Sequence, residues 1–110
     1  MTVSALDALP HWRVSIAKGR TIYIEGEPSS TLYRVESGCV RLLVDGTDGA
    51  RQIISFLFPT QLFGYCLDTR NTSAEAVTDV ALTAFPISAV IDLGAHNHKA
   101  AIELLDTANE

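Results

Sequence analysis

Glycine turns interrupt the middle of this chain at short intervals, and the runs between them are brief and rich in β-branched and aromatic side chains. A chain so punctuated is confined to short strands rather than long helices. Residues 21–25 (TIYIE) reach a turn at Gly26-Glu27-Pro28, and residues 31–37 (TLYRVES) close at Gly38. Residues 39–44 (CVRLLV) lead through Asp45-Gly46 and Asp48-Gly49 into residues 51–58 (RQIISFLF), which Pro59 stops. This order predicts two successive hairpins. A further strand is predicted over 77–85 (VTDVALTAF), ending at Pro86.

Polar and apolar residues alternate imperfectly along these runs. Leu42-Leu43-Val44 and Ile53-Ile54 are apolar at consecutive positions, which predicts strands covered on their outer face by another element and so a closed or double-layered β structure. From Ser88 the period changes. Ser88 is suited to cap a helix with Val90, Ile91 and Leu93 facing inward and Gly94 as its stop. A second helix is predicted from Asn97, with Ala101, Leu104, Leu105 and Ala108 along one apolar stripe. That stripe could pack on its own barrel or on a second subunit.

Composition narrows the class. At 110 residues the chain is expected to form one domain over 1–110. A hydrophobic share of 47% against 19% charged is that of a folded globular chain, apolar enough to leave a face for a partner. The net charge of −5 repels a phosphate backbone, so no direct nucleic-acid contact is expected from this chain. No apolar run reaches the roughly 18 residues of a membrane span, and the start MTVSALDALPHWRV lacks the pattern of a signal peptide. A cytoplasmic protein without a membrane partner is expected. Cys39 and Cys66 are too few for a disulfide framework and read most simply as packed thiols.

The most specific pattern is FGYCLDTRNTSAEAV at residues 63–77, where Phe63-Gly64 is followed by Ser73-Ala74. With Glu25-Gly26-Glu27, Leu32-Tyr33 and Ser37-Gly38 in the same order, the chain resembles the N-terminal effector domain of the Crp/Fnr family of bacterial transcription regulators, over about residues 18–93. The wording is closer to the FixK-like and Fnr-like branches. The resemblance implies a mainly β fold, an eight-stranded jelly roll (double-stranded β-helix) of the cyclic-nucleotide-binding type with short flanking helices. It also implies a homodimer built through a helix of which residues 97–110 would be the start, and a DNA-binding helix-turn-helix beyond Glu110.

In that family a glycine and a carboxylate, followed later by an arginine beside a serine or threonine, hold a cyclic phosphate and its ribose. Here Tyr65 stands at the carboxylate position and Thr72 at that of the arginine. A phenol cannot accept paired ribose hydrogen bonds, and without the guanidinium the phosphate has no counter-charge. The resemblance therefore implies a cradle that does not bind cyclic AMP in the usual way. Gly64, Tyr65, Arg70, Thr72 and Ser73 are the candidate lining of a pocket for a small-molecule effector, another anion or an apolar compound. Arg70 would either swing toward that ligand or sit exposed, or ion-paired, at the surface.

Other chemistries find less support. Cys66 lies in the same loop, four residues before Arg70, and a nearby cation would favour its thiolate, so it is a candidate redox switch. An iron–sulfur cluster of the oxygen-sensing Fnr type needs clustered N-terminal cysteines, and none precedes Cys39. His96 and His98 diverge at a helix junction, and no histidine between residues 12 and 95 is available for a barrel metal or as a base near Ser73. Neither a metal, a cofactor nor a catalytic residue is expected. The sequence thus points to a non-enzymatic sensor and dimerisation domain.

Overall fold

The computed structural model describes residues 4–66 and 68–96. The helix predicted from Asn97 lies outside them. After a 3-10 turn at Ser4–Ala8 the chain forms β1 (Trp12–Ile16), β2 (Thr21–Tyr23), β3 (Thr31–Ser37), β4 (Val40–Asp45) and β5 (Arg51–Leu57). Then follow β6 (Leu62–Phe63), β7 (Ser73–Ala76), β8 (Val80–Pro86) and the helix α1 (Ile87–His96). All pairings are antiparallel. One sheet has the order β1-β8-β3-β6 and the other β2-β7-β4-β5, the two layers of a jelly roll.

The main core lies between the layers. Val35, Phe63, Val80 and Leu82 from the first sheet meet Tyr23, Val40, Leu42, Leu57, Ala74 and Ala76 from the second. The first sheet is also covered on its outer face. There Leu32, Leu62 and Phe85 pack with Leu6 of the N-terminal turn and Val90 of α1. Strand alternation explains how β8 serves both, since Val80 and Leu82 share one face while Phe85 points to the other.

Several expectations are corrected. β4 and β5 do form a hairpin, but β2 and β3 lie in different sheets, so the first predicted hairpin does not exist. The strand predicted over 77–85 begins only at Val80. Val77 to Asp79 form a turn after β7, and Gly38 (φ +88°) presses against it so closely that a Cβ would lie 2.3 Å from the carbonyl oxygen of Asp79. Apolar Ile53-Ile54 is not covered by the described residues, both side chains being half exposed. Its cause is a β-bulge, in which Leu42 faces Ser55 and Leu43 faces Ile53, leaving Ile54 as the extra residue. In α1, Val90 is buried and Leu93 packs on the outer cluster, but Ile91 is exposed, Ser88 is already helical, and Gly94 does not end the helix.

Candidate functional site

Between β6 and β7 the chain returns along the turn that follows β2, and backbone bonds hold Asp68 and Arg70 there. Gly26 N–H donates to the carbonyl of Arg70 and Arg70 N–H to that of Glu27, each at 2.8 Å, while Ser29 N–H donates to Asp68, also at 2.8 Å. The Gly26 turn predicted from sequence is therefore the anchor of the loop as well as a strand end. Glu27 caps that turn by accepting from Ile24 N–H at 2.6 Å.

Arg70 organises the loop from within. Its side chain is buried, with Nη2 donating to the carbonyl of Thr31 at 2.9 Å and Nη1 to that of Gly64. The guanidinium carbon lies 4.1 Å from the centre of the Tyr23 ring, and Tyr23, Tyr33 and Phe63 continue as an aromatic stack. Two carbonyl dipoles and a ring face replace the carboxylate that a buried cation ordinarily requires. Gly64 is needed for this closeness. Its φ is +86°, and a Cβ there would lie 2.8 Å from Arg70 Nη1 and 3.4 Å from the Thr31 carbonyl oxygen. Arg70 is thus neither exposed nor ion-paired at the surface, as the sequence had suggested it would be if it met no ligand.

Above this layer lies a cavity of about 200 Å³. Aromatic walls come from Tyr23, Phe63 and Tyr65, and aliphatic ones from Leu32, Leu42, Leu57, Leu62 and the bulged Ile54. Polar groups come only from the returning loop and the phenols: the Gly64 backbone, Cys66, Asn71 and Thr72 complete the lining. Among the described residues, no lining side chain is acidic or basic. Burial pushes the Tyr23 phenol up to about 12, against the pull of the Thr72 hydroxyl and of Arg70, so Tyr23 stays a neutral donor at physiological pH.

Of the five candidate lining residues, Gly64, Tyr65 and Thr72 reach the cavity together. Arg70 lies behind it. Ser73 is buried in β7, where its hydroxyl accepts from Glu25 N–H at 2.9 Å, so it ties the strand to the Gly26 turn. Cys66 lines the cavity with its thiol 3.6 Å from Asn71 Oδ1, and Arg70 turns its guanidinium to carbonyls instead of toward the sulfur. Cys39 is remote, its backbone N–H donating to Thr78 Oγ1. Sequence reasoning missed Tyr23, Asn71 and the aliphatic lining. Alternation in β2 offered a signal for Tyr23, but only the bulge brings Ile54 to the rim.

A second polar cluster lies on the outer face of the second sheet. Glu75 accepts from Arg41 at 2.9 and 3.0 Å and meets Arg51 Nη2 at 3.0 Å. Burial alone would push the Glu75 carboxyl up, but the two arginines hold it below the usual range. On the first sheet Glu36, the extra residue where β3 shifts register against β8, accepts from Arg34 and Thr83 at 2.7 Å each. It too is held low despite burial. Both clusters brace strands and neither faces the cavity.

Residues 13–97 match the family model described as the cyclic nucleotide-binding domain. The chain is 37% identical over 68 residues to the nitrogen fixation regulation protein FixK of Rhizobium meliloti, covering 61% of this chain and 32% of that relative. Over 71 residues it is 31% identical to the CRP-like cAMP-activated global transcriptional regulator of Mycobacterium tuberculosis, again 61% of this chain and 32% of the relative. The structure of FixK2 from Bradyrhizobium japonicum superposes with a TM-score of 0.84 at 29% identity, over 90% of this chain and 50% of that one. The chain therefore spans about a third of the length of the curated relatives it matches. No helix among the described residues is long and apolar enough to cross a membrane.

Proposed function

The chain belongs to the cyclic nucleotide-binding domain family, and we propose that it is the sensor and dimerisation domain of a Crp/Fnr-type transcription regulator, non-enzymatic and cytoplasmic, that does not bind cyclic AMP in the usual way. The observation that carries this reading is the uncharged cavity. Its lining includes Tyr65 and Thr72 where the family resemblance implies a carboxylate and an arginine, and Arg70, the guanidinium of that loop, is committed to the carbonyls of Thr31 and Gly64. A cyclic phosphate entering the cavity would lose water without gaining a counter-charge, which is unfavourable in a low-dielectric site. The role in transcription is supported by the two curated relatives, one named a nitrogen fixation regulation protein and the other a CRP-like global transcriptional regulator.

Homodimerisation is supported by the apolar strip on β5 and just beyond it, where Ile53, Ile54, Phe56 and Phe58 are each about half exposed. Titration calorimetry with cyclic AMP and cyclic GMP tests the ligand statement. No saturable heat is expected for either nucleotide, and micromolar or tighter binding would overturn the reading. A second reading, a redox switch at Cys66, is favoured by the position of that thiol in the cavity wall. Oxidant titration followed by mass spectrometry decides it. Selective oxidation of Cys66 is the expected result, and equal reactivity of Cys39 removes the idea.

A further inference from the structure

We infer that the cavity above Tyr23 receives a small uncharged molecule with a flat apolar body and one hydrogen-bonding head, the body lying against Phe63 and Leu57 and the head toward Thr72 and Asn71. The inference rests on the reading that cyclic nucleotides are not the ligand. Size is the first ground. A cavity of about 200 Å³ exceeds the roughly 150 Å³ that accommodates benzene, and falls below the roughly 300 Å³ at which pockets for drug-sized ligands begin.

Charge is the second ground. Among the described residues the lining has no acidic or basic side chain, and the Arg70 guanidinium is spent on two carbonyls and the Tyr23 ring. An anion would have to pull Arg70 away from the bonds that close the loop, and a cation would find no carboxylate. Both ions therefore lose hydration without compensation, whereas a neutral ring loses little. The third ground is the division of the walls. The aliphatic residues come from the sheets, while Cys66, Asn71 and Thr72 come from the returning loop and the Tyr23 phenol meets the Thr72 hydroxyl, so these polar groups lie on one side. A ligand with one polar end has a defined orientation there. Thr72 and Asn71 can each donate and accept, which suits an amide, phenol or alcohol.

Benzamide and benzoate provide the test, being nearly the same shape and differing in charge. The 110-residue chain would be titrated with each and with cyclic AMP, using ligand-observed saturation-transfer NMR, with circular dichroism confirming that every sample is folded. Benzamide is expected to bind in the micromolar to millimolar range, at least tenfold tighter than benzoate. Thr72→Val should weaken benzamide severalfold, and Ile54→Trp at the half-exposed rim should occlude it. Benzoate binding as tightly as benzamide would overturn the inference, as would a folded chain that binds neither. If neither binds and cyclic AMP does, the proposed function falls as well; if cyclic AMP is also silent, only the present inference fails.

Discussion

Replacing Arg70 by methionine would show whether a guanidinium without a carboxylate partner holds the site together. Methionine keeps an unbranched apolar stem, shorter than that of arginine, and removes the donors, so the carbonyls of Gly64 and Thr31 lose their partners. Each buried carbonyl left unpaired costs about 1–3 kcal/mol, and the lost stacking on Tyr23 about 1–2 kcal/mol. Against this, the variant no longer buries a charge whose Nε has no acceptor, a relief of several kcal/mol by comparison with buried ion pairs. The expected net loss is about 2–4 kcal/mol, which at ~4–8 °C per kcal/mol for a domain near this size lowers Tm by about 8–32 °C. Urea and thermal unfolding followed by circular dichroism read it directly. Arg70→Lys should fall between the two, since an ammonium can reach a carbonyl but cannot stack as a plane. A Tm for Arg70→Met within about 3 °C of the parent would refute the organising role. The contact with Gly64 gives an independent check, because a Cβ there would lie 2.8 Å from Arg70 Nη1. Gly64→Ala should cost less by about 1 kcal/mol in the Arg70→Met background than in the parent, and strict additivity would mean that the two groups do not press on each other.

Gly38→Ala should destabilise by about 3 kcal/mol or more, because φ is +88° and the new Cβ would lie 2.3 Å from the Asp79 carbonyl oxygen; a loss below about 1 kcal/mol in urea melts contradicts that packing. Acid unfolding should follow Glu75 and Glu36, whose folded-state carboxyls are held below their ordinary value. Their contribution is complete above the unfolded value near ~4.3 and is lost as pH falls through the lower folded values, so Glu75→Gln should flatten the stability profile in that window. An unchanged slope would contradict the assignment. The double substitution Tyr65→Glu with Thr72→Arg should confer micromolar cyclic AMP binding measurable by calorimetry, and a folded double variant without it would show that these two positions do not decide cyclic-nucleotide binding.

The strands that sequence revealed are those with β-branched residues between glycine turns. β3 matched its predicted bounds, and β4 and β5 differed by about one residue, within the ordinary uncertainty of element ends. β7 escaped because Ser73-Ala74-Glu75-Ala76 has low β propensity. Its small side chains suit a strand flanked by β2 and β4, a property of the assembled sheet. β1 carried a readable alternation, Val14 and Ile16 against Arg13 and Ser15, but it is an edge strand whose partner, β8, lies far along the chain. The loop framework was legible because Gly64 must take positive φ. The fate of Arg70 was not, since an arginine in a polar loop usually stays solvated and nothing local announces two carbonyls 6 and 39 residues away.

Tyr65, at the position where the family resemblance implies a carboxylate, has a second role. Its side chain lines the cavity and also packs against the outer cluster of Leu6, Leu32, Leu62, Phe85 and Val90, the last of which is the buried anchor of α1. A carboxylate could not take over the packing against that cluster without burying a charge against hydrocarbon, which would cost several kcal/mol, so an acid here would turn to the cavity alone. A phenol at this position can therefore do two things that an acid cannot: close the cavity with an uncharged wall, and carry packing from the cavity to the helix. In the proposed sensor, a ligand that shifts the Tyr65 ring would change the packing of the cluster that holds Val90, and its effect on α1 is limited to its difference in affinity for the two ring positions. In that sensor the phenol that stands in place of the implied carboxylate would also give a neutral ligand a mechanical route to α1.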